Sequence, residues 1–346
     1  MSENQHSGSD TVKAAIGKLM DGKDLTRMES RLVMNDILDN KATDAQISAY
    51  LVAMRMKGET VDEITGSAQA FSDRTKPMDM HYENIVDTCG TGGDNLNTFN
   101  ISTTSAFVAA GAGVNVAKHG HRSVSGKCGS ADLLAEFGVN VDIPKRIVSR
   151  CFREIGLAFL FAPKYQKSWH YALGPRREIG AKTIFNILGP ITNPAHTKRQ
   201  LIGVYDDTIM RTLVEVMREL GAVQVMVVHG YDGLDEITIT GKSHIIELID
   251  GQVYEYDISP SDFKMDTAPI AAIQSQSCAE NVQIVMDVLS GKPGPATDTV
   301  LLNAGAAIKV SGKVNSLYDG IELARQSISS GSALQKLQKL IGISNS

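Results

Sequence analysis

From Asn84 onward, short apolar runs alternate with stretches of helical periodicity, and this alternation restricts the chain to a few architectures. NIVDT, VNVAKHG, LAFLFA, QLIGVYD and VQVMVVHG read as strands, and SAFVAA, SADLLAEFG, IVSRCFREIG and TIMRTLVEVMRELG as the helices between them. Strand and helix in regular succession predict a mainly parallel sheet with helices on its faces. HIIELIDGQVYEYDI departs from that rhythm and predicts a hairpin turning at Asp250-Gly251.

The N-terminal part has another texture. Thr26 with Glu29, Thr43 with Gln46, and Thr60 with Glu63 form capping boxes where apolar periodic runs begin. Ile47, Tyr50, Leu51 and Met54 then follow the spacing of a buried helical stripe, which Arg55, Lys57 and Gly58 close. Short helices of this kind need a partner for their apolar faces, either the rest of the chain or a second copy. Between Pro163 and Pro194 a helical stretch, QKSWHYALGPRREIG, and a turn-rich GPITNP break the alternation, and this segment is expected to return to the helical module. The predicted fold class is therefore α/β, with a small all-helical domain over 10–80, joined by 164–195, and a larger α/β domain over 84–163 and 196–342.

A chain of 346 residues with a net charge of -5 is poorly matched to a phosphate backbone, which argues against general nucleic-acid binding, and any anionic ligand must meet local positive charge. Cys89, Cys128, Cys151 and Cys278 lie far apart without metal-ligand spacing, and are expected to be reduced thiols of a cytosolic protein. With neither a membrane-length apolar run nor a signal-peptide core, the expected location is the cytoplasm.

The chemistry gathers in three loops, each following a strand, where ligands collect in a parallel sheet. The first, GTGGDNLNTFNIST (90–103), holds three glycines and many small polar side chains, and runs into a helix N-terminus that favours an anion. A tight turn with an ordinary N-cap needs fewer glycines. It is not G-x-G-x-x-G, and no acid closes the following strand, which argues against a dinucleotide. The second, KHGHRSVSGKCGSAD, supplies Lys118, His119, His121, Arg122 and Lys127, with Ser130 opening the next helix. Its likeness to a P-loop fails on glycine spacing and on Cys128, which replaces the magnesium-binding hydroxyl. In the third, YDGLDEIT, Asp235 and Glu236 serve one ion only if the chain turns there, and magnesium suits them, completing its shell with water and phosphate.

GTGGD, Asn100 to Thr103, KHG-x-R, GSAD, TIFNILGPITNPA and DGLDE, in this order, resemble the anthranilate phosphoribosyltransferases of tryptophan biosynthesis, and the resemblance runs from about residue 10 to 340. It implies a nucleoside phosphorylase-like fold, a homodimer through the helical domain, and magnesium-dependent transfer of phosphoribosyl from phosphoribosyl diphosphate to the amine of anthranilate. Carried onto this chain, Gly90, Gly93, Asp94, Thr98, Asn100, Ile101, Ser102, Thr103, Lys118, His119, Gly120, Ser125, Gly126 and Ser130 would hold phosphoribosyl diphosphate. Ser102 would bind one magnesium and Asp235 with Glu236 another, while Lys118 and these two acids would carry the catalysis. Arg176 would pair with the acceptor carboxylate, and Gly90, His119, His121, Gln166 and Pro190 would surround the acceptor.

Two departures from the family pattern fall on the acceptor side. His121 stands where asparagine is common, and Gln166 to Trp169 replace a His-x-Ala-Met-like stretch. They leave open anthranilate with a drifted pocket, a different aromatic carboxylate, or a non-catalytic protein that binds phosphoribosyl diphosphate. A phosphorylase on the same architecture has less need of the Asp235-Glu236 pair.

Overall fold

The computed structural model describes residues 8–75, 78, 82, 84–123 and 127–346. Ser125 and Gly126 therefore lie outside the described residues.

Four helices open the chain: α1 (Asp10–Met20), α2 (Arg27–Leu38), α3 (Asp44–Lys57) and α4 (Val61–Arg74). All three capping boxes form, with Thr26, Thr43 and Thr60 each accepting from the backbone N–H of its partner three residues on. Each box satisfies backbone donors that the helix itself leaves free. Glu63 does more, because its buried carboxylate also accepts from the Leu25 N–H at 2.8 Å and pairs with Lys57 at 2.9 Å.

The alternating part then runs β1 (Val86–Gly90), α5 (Ile101–Gly111), β2 (Val116–Gly120), α6 (Ser130–Glu136), α7 (Lys145–Ile155), β3 (Leu157–Phe161), the single turn α8 (Ala162–Tyr165), α9 (His170–Ile179), α10 (Ile184–Ile191), β4 (Arg199–Gly203), α11 (Met210–Glu219) and β5 (Gln224–Gly230). The hairpin β6 (Ser243–Ile249) and β7 (Gln252–Ile258) follows, then α12 (Cys278–Leu289), α13 (Pro295–Val310), α14 (Leu317–Ser329) and α15 (Ser332–Ser344). The sheet has seven strands in the order β3-β2-β1-β4-β5-β6-β7. β1 to β5 pair in parallel, and β6 and β7 are antiparallel. The hairpin turns where expected, on Asp250 (φ 46°) and Gly251 (φ 83°), both in the positive-φ region that a two-residue turn of this hand requires.

Strand alternation gives the sheet two apolar faces. Leu201, Met226 and Val228 join a core with α5, α6, α7, α13, α14 and α15, whereas Ile202, Val225 and Val227 join a second core with α10, α11 and α1 to α4. The buried stripes of the N-terminal helices are thus covered by the rest of the chain, while Met28, Leu32, Val52 and Met56 stay exposed. α9 and α10 pack on α2, α3 and α4, so the segment that interrupts the alternation does return to the helices.

One expectation is overturned. Cys128 and Cys278 are not reduced thiols but form a disulfide, with Cα atoms 5.1 Å apart, while Cys89 and Cys151 are free. A separation of 150 residues conceals the pairing in the sequence, and the packing of α6 against α12 creates it. Closing so long a loop restricts the unfolded chain, so Cys278→Ser is expected to lower the unfolding free energy by about 2–4 kcal/mol. Urea titrations should show that deficit without reductant and lose it in dithiothreitol, where the parent chain falls to the variant's midpoint.

Candidate active site

The three loops meet at the carboxyl ends of β1, β2, β4 and β5. Gly90 at the end of β1 lies in register with Gly203 at the end of β4. A Cβ at Gly90 would stand 2.3 Å from Asp235 Oδ2, and one at Gly203 1.5 Å from the Asp235 carbonyl oxygen. The paired glycines thus clear the space through which the third loop crosses onto the first. There the Gly92 N–H donates to Asp235 Oδ2 at 2.7 Å, with Gly92 and Gly93 at φ 64° and 80°. The 231–236 stretch is a turn and not a strand, as Asp235 and Glu236 require to face one ion. Asp232 braces it, accepting from the Leu234 N–H at 3.1 Å and from the hydroxyls of Thr238 and Thr240 at 2.7 Å.

Asp94, Asp235 and Glu236 lie near one another, a crowding of negative charge that a cation would relieve. Burial, then the neighbouring Asp94 charge, pushes Asp235 up to about 7, and burial, then Asp235, pushes Glu236 up to about 8. Among the described residues no three His, Cys, Asp or Glu side chains are grouped so as to hold a metal ion by themselves. A hard cation here would therefore take few protein carboxylates and fill its shell with water and ligand oxygens, as magnesium does.

Lys118, buried in β2, donates to the Thr88 carbonyl and to Ser102 Oγ at 3.2 Å, which brings its ammonium to the N-terminus of α5. Asn100 Oδ1 and Thr103 Oγ1 at that terminus are buried without a hydrogen-bond partner among the described residues. The rest of the segment is held from outside: Thr98 bridges Gln274, Phe99 N–H donates to the Ile273 carbonyl at 3.0 Å, and Asn100 N–H to Asn281 Oδ1 at 3.2 Å. Ile101 points into the core, so only its backbone can serve a ligand. Gly120 and Ser130 touch, a Cβ at Gly120 falling 2.1 Å from Ser130 Oγ. Arg122 is tied back by Asp132 of the GSAD turn at 2.9 Å.

His119 faces the other side of β2. Its Nδ1 lies 2.5 Å from Asp87 Oδ2 and its Nε2 2.9 Å from the Gly189 carbonyl, so both ring nitrogens meet acceptors. Burial opposes its charge, but the Asp87 carboxylate outweighs it and raises His119 well above 6.5. Asp87, which burial pushes up, is held below 3.8 by the charge on His119. Gln200 Nε2 donates to Asp87 Oδ2 and to the Pro190 carbonyl, each at 3.2 Å, and completes a network joining β1, β2, β4 and α10. The stability from this ion pair is complete between those two ordinary values; it is lost as pH falls through the lowered pKa of Asp87 and as pH rises through the raised pKa of His119. Asp87→Asn is expected to cost about 3 kcal/mol near pH 6, the low end for breaking a buried pair because His119 can shed its proton. Urea titrations across pH should show the deficit shrinking on the alkaline side.

On the helical side, Arg176 of α9 lies over the rings of Phe185, at 4.9 Å, and Trp169, at 5.7 Å. Phe71 of α4 closes the aromatic cluster, 5.1 Å from Trp169 and 5.9 Å from Phe185. Burial lowers the Arg176 pKa, and no carboxylate among the described residues pairs with it. A half-buried guanidinium stacked on rings and lacking an acid is suited to a planar carboxylate. Gln166 is buried and donates to the Thr192 carbonyl at 2.6 Å. His121 is exposed, its Nδ1 2.6 Å from the Arg122 carbonyl, and among the described contacts none joins it to Gln166, Trp169 or Arg176.

Asp87, Lys182 and Tyr205 join the site only through the structure. Asp87 had a usable signal, an acid inside an apolar strand; Lys182 and Tyr205 had none.

The glycosyl transferase family, helical bundle domain, matches residues 13–75, and the glycosyl transferase family, a/b domain, matches 82–334. Anthranilate phosphoribosyltransferase of Moorella thermoacetica is 49% identical over 330 residues, covering 95% of this chain and 97% of that protein. The crystal structure of the Thermus thermophilus enzyme of that name superposes with a TM-score of 0.91 at 34% identity, covering 96% of this chain and 99% of the other. The Saccharomyces cerevisiae enzyme in complex with phosphoribosyl diphosphate and magnesium has a TM-score of 0.88 at 26% identity, covering 99% of each chain. The order of motifs, the helical bundle on a seven-stranded α/β sheet and these full-length likenesses agree: the chain belongs to the anthranilate phosphoribosyltransferases of the glycosyl transferase family.

Proposed function

We propose that the protein transfers the phosphoribosyl group of 5-phosphoribosyl 1-diphosphate to the amine of anthranilate, a step of tryptophan biosynthesis, with magnesium as cofactor. The observation that carries this reading is the pairing of two half-sites: glycine-rich loops with Lys118 and three carboxylates on one side, and on the other Arg176 on an aromatic floor, without a carboxylate partner among the described residues. In the first, Gly90, Gly93, Asp94 and the α5 N-terminus receive the diphosphate, and Lys118 neutralises its oxygens. Magnesium, held by Asp235 and Glu236 with a second ion at Ser102, supplies charge neutralisation on the leaving group. In the second, Arg176 grips the carboxylate and fixes the amine toward the anomeric carbon. As the ribose C1–O bond breaks and the N–C1 bond forms, diphosphate takes the bonding electrons and the nitrogen releases one proton to it or to water. An aromatic amine is neutral near pH 7 and needs no strong base.

His121 is exposed and lies outside the Arg176 cluster, so it gives no support to an altered acceptor. The proposed division of the chain keeps 10–80 and 164–195 as the helical unit and 84–163 with 196–342 as the α/β unit. Homodimerisation is proposed through the helical unit, where Met28 and Leu32 of α2, and Val52 and Met56 of α3, stay exposed one turn apart. No described helix is long and apolar enough to cross a membrane, and the proposed location is the cytoplasm. The test is loss of anthranilate fluorescence with matching diphosphate release, given phosphoribosyl diphosphate and magnesium. Calorimetric binding of phosphoribosyl diphosphate without release would replace this reading with a sensor.

A further inference from the structure

Lys182 lies on the short link between α9 and α10, following Gly180 (φ 63°), which ends α9, and preceding Thr183, which opens α10. Its Nζ donates to the Gly93 carbonyl at 2.7 Å and sits 3.0 Å from the centroid of the Tyr205 ring. The end of the Lys182 side chain lies against Gly93, where a Cβ would press on Cε at 3.0 Å and Nζ at 3.2 Å. Tyr205 is in turn tied to the same loop, its N–H donating to Thr91 Oγ1 at 3.2 Å while the Thr91 N–H donates to the Gly203 carbonyl at 2.9 Å.

We infer that Lys182 is a positioning residue for phosphoribosyl diphosphate, setting the peptide planes of the glycine loop from the acceptor side of the cleft. The argument is geometric. A trans peptide is planar, with its C=O and N–H pointing in opposite directions. When Lys182 holds the Gly93 oxygen, it therefore points the Asp94 N–H away from Lys182, at the opposite edge of the same peptide plane. The Gly93 and Asp94 N–H groups make no hydrogen bond among the described residues, whereas the Gly92 N–H is taken by Asp235. Successive free N–H groups in a positive-φ turn form an anion-binding concavity, provided the turn keeps its shape. Two glycines at positive φ cannot hold that shape by themselves, because glycine has little conformational preference. A lysine anchored on an aromatic ring supplies the constraint. The same link joins α9, which carries Arg176, to α10, which carries Phe185, so the loop that receives the diphosphate is braced by the segment that builds the acceptor floor.

This inference rests on the proposed reaction and is tested by binding. In calorimetry with phosphoribosyl diphosphate and magnesium, Lys182→Met should weaken binding about tenfold. In turnover, the KM for phosphoribosyl diphosphate should rise by a similar factor while the KM for anthranilate stays within twofold. Lys182→Arg, which can still hold the carbonyl and stack on Tyr205, should recover most of the loss, and Tyr205→Leu should reproduce part of it. Unchanged affinity in a folded Lys182→Met, equal rises in both KM values, or no recovery in Lys182→Arg would overturn the inference. If the parent chain itself bound no phosphoribosyl diphosphate, the proposed reaction would fail instead.

Discussion

Asp235→Asn combined with Glu236→Gln is expected to lower kcat/KM by a factor of about a thousand, on the order of 4 kcal/mol, because a bound metal contributes several kcal/mol to stabilising charge on a leaving group. The same substitution should make the unliganded protein more stable at neutral and alkaline pH. Both carboxyls titrate far above their ordinary values of 3.8 and 4.5, at about 7 and about 8. Between those values the fold takes up protons that the unfolded chain has released, so these groups make stability fall as pH rises from about 4 to about 8. The double amide removes that slope. Urea midpoints from pH 5 to pH 9, with and without magnesium, should show a flatter profile in the variant and magnesium stabilisation only in the parent. A variant that kept its rate across a magnesium titration would dismiss the assignment of these acids to the metal.

Arg176→Met should raise the KM for anthranilate about fiftyfold, roughly 2.3 kcal/mol, the range of a charge-assisted, desolvated hydrogen-bonding pair. Binding of phosphoribosyl diphosphate should stay within twofold. Arg176→Lys should recover only part, since an ammonium lacks the planar fork and stacks less well on Phe185. The chain carries its own reporter: Trp169 is the only tryptophan and lies beneath the guanidinium. Anthranilate should therefore quench tryptophan fluorescence in the parent and fail to do so at the same concentration in Arg176→Met. Equal effects on both substrates would mean that the arginine supports the fold of the cleft and not the acceptor.

These expectations depend on features of unequal legibility. The capping boxes at Thr26, Thr43 and Thr60, the turn at Asp250-Gly251 and the succession of parallel strands are all in the sequence, because each follows from rules acting over a few residues: N-cap hydrogen bonding, positive φ, and periods of 3.6 and 2. The loops that carry the chemistry were legible for the same reason, since every one begins where a strand ends. The turn at Asp235-Glu236 stood as a condition that the sequence could state but not meet.

What the tertiary structure decided is which distant groups share a space. Asp87 and His119 are 32 residues apart and meet because β1 and β2 are neighbours; Lys182 and Gly93 are 89 apart and meet because the chain returns to the helices between β3 and β4. The disulfide joins residues 150 apart, and its two cysteines looked unrelated in one dimension. His121, an unusual residue in an otherwise familiar motif, drew attention to the acceptor side, yet its ring is turned onto the Arg122 carbonyl at the exposed rim. A motif records which residue types a loop carries, whereas the direction each side chain takes is settled by packing and hydrogen bonds with elements far away in the chain.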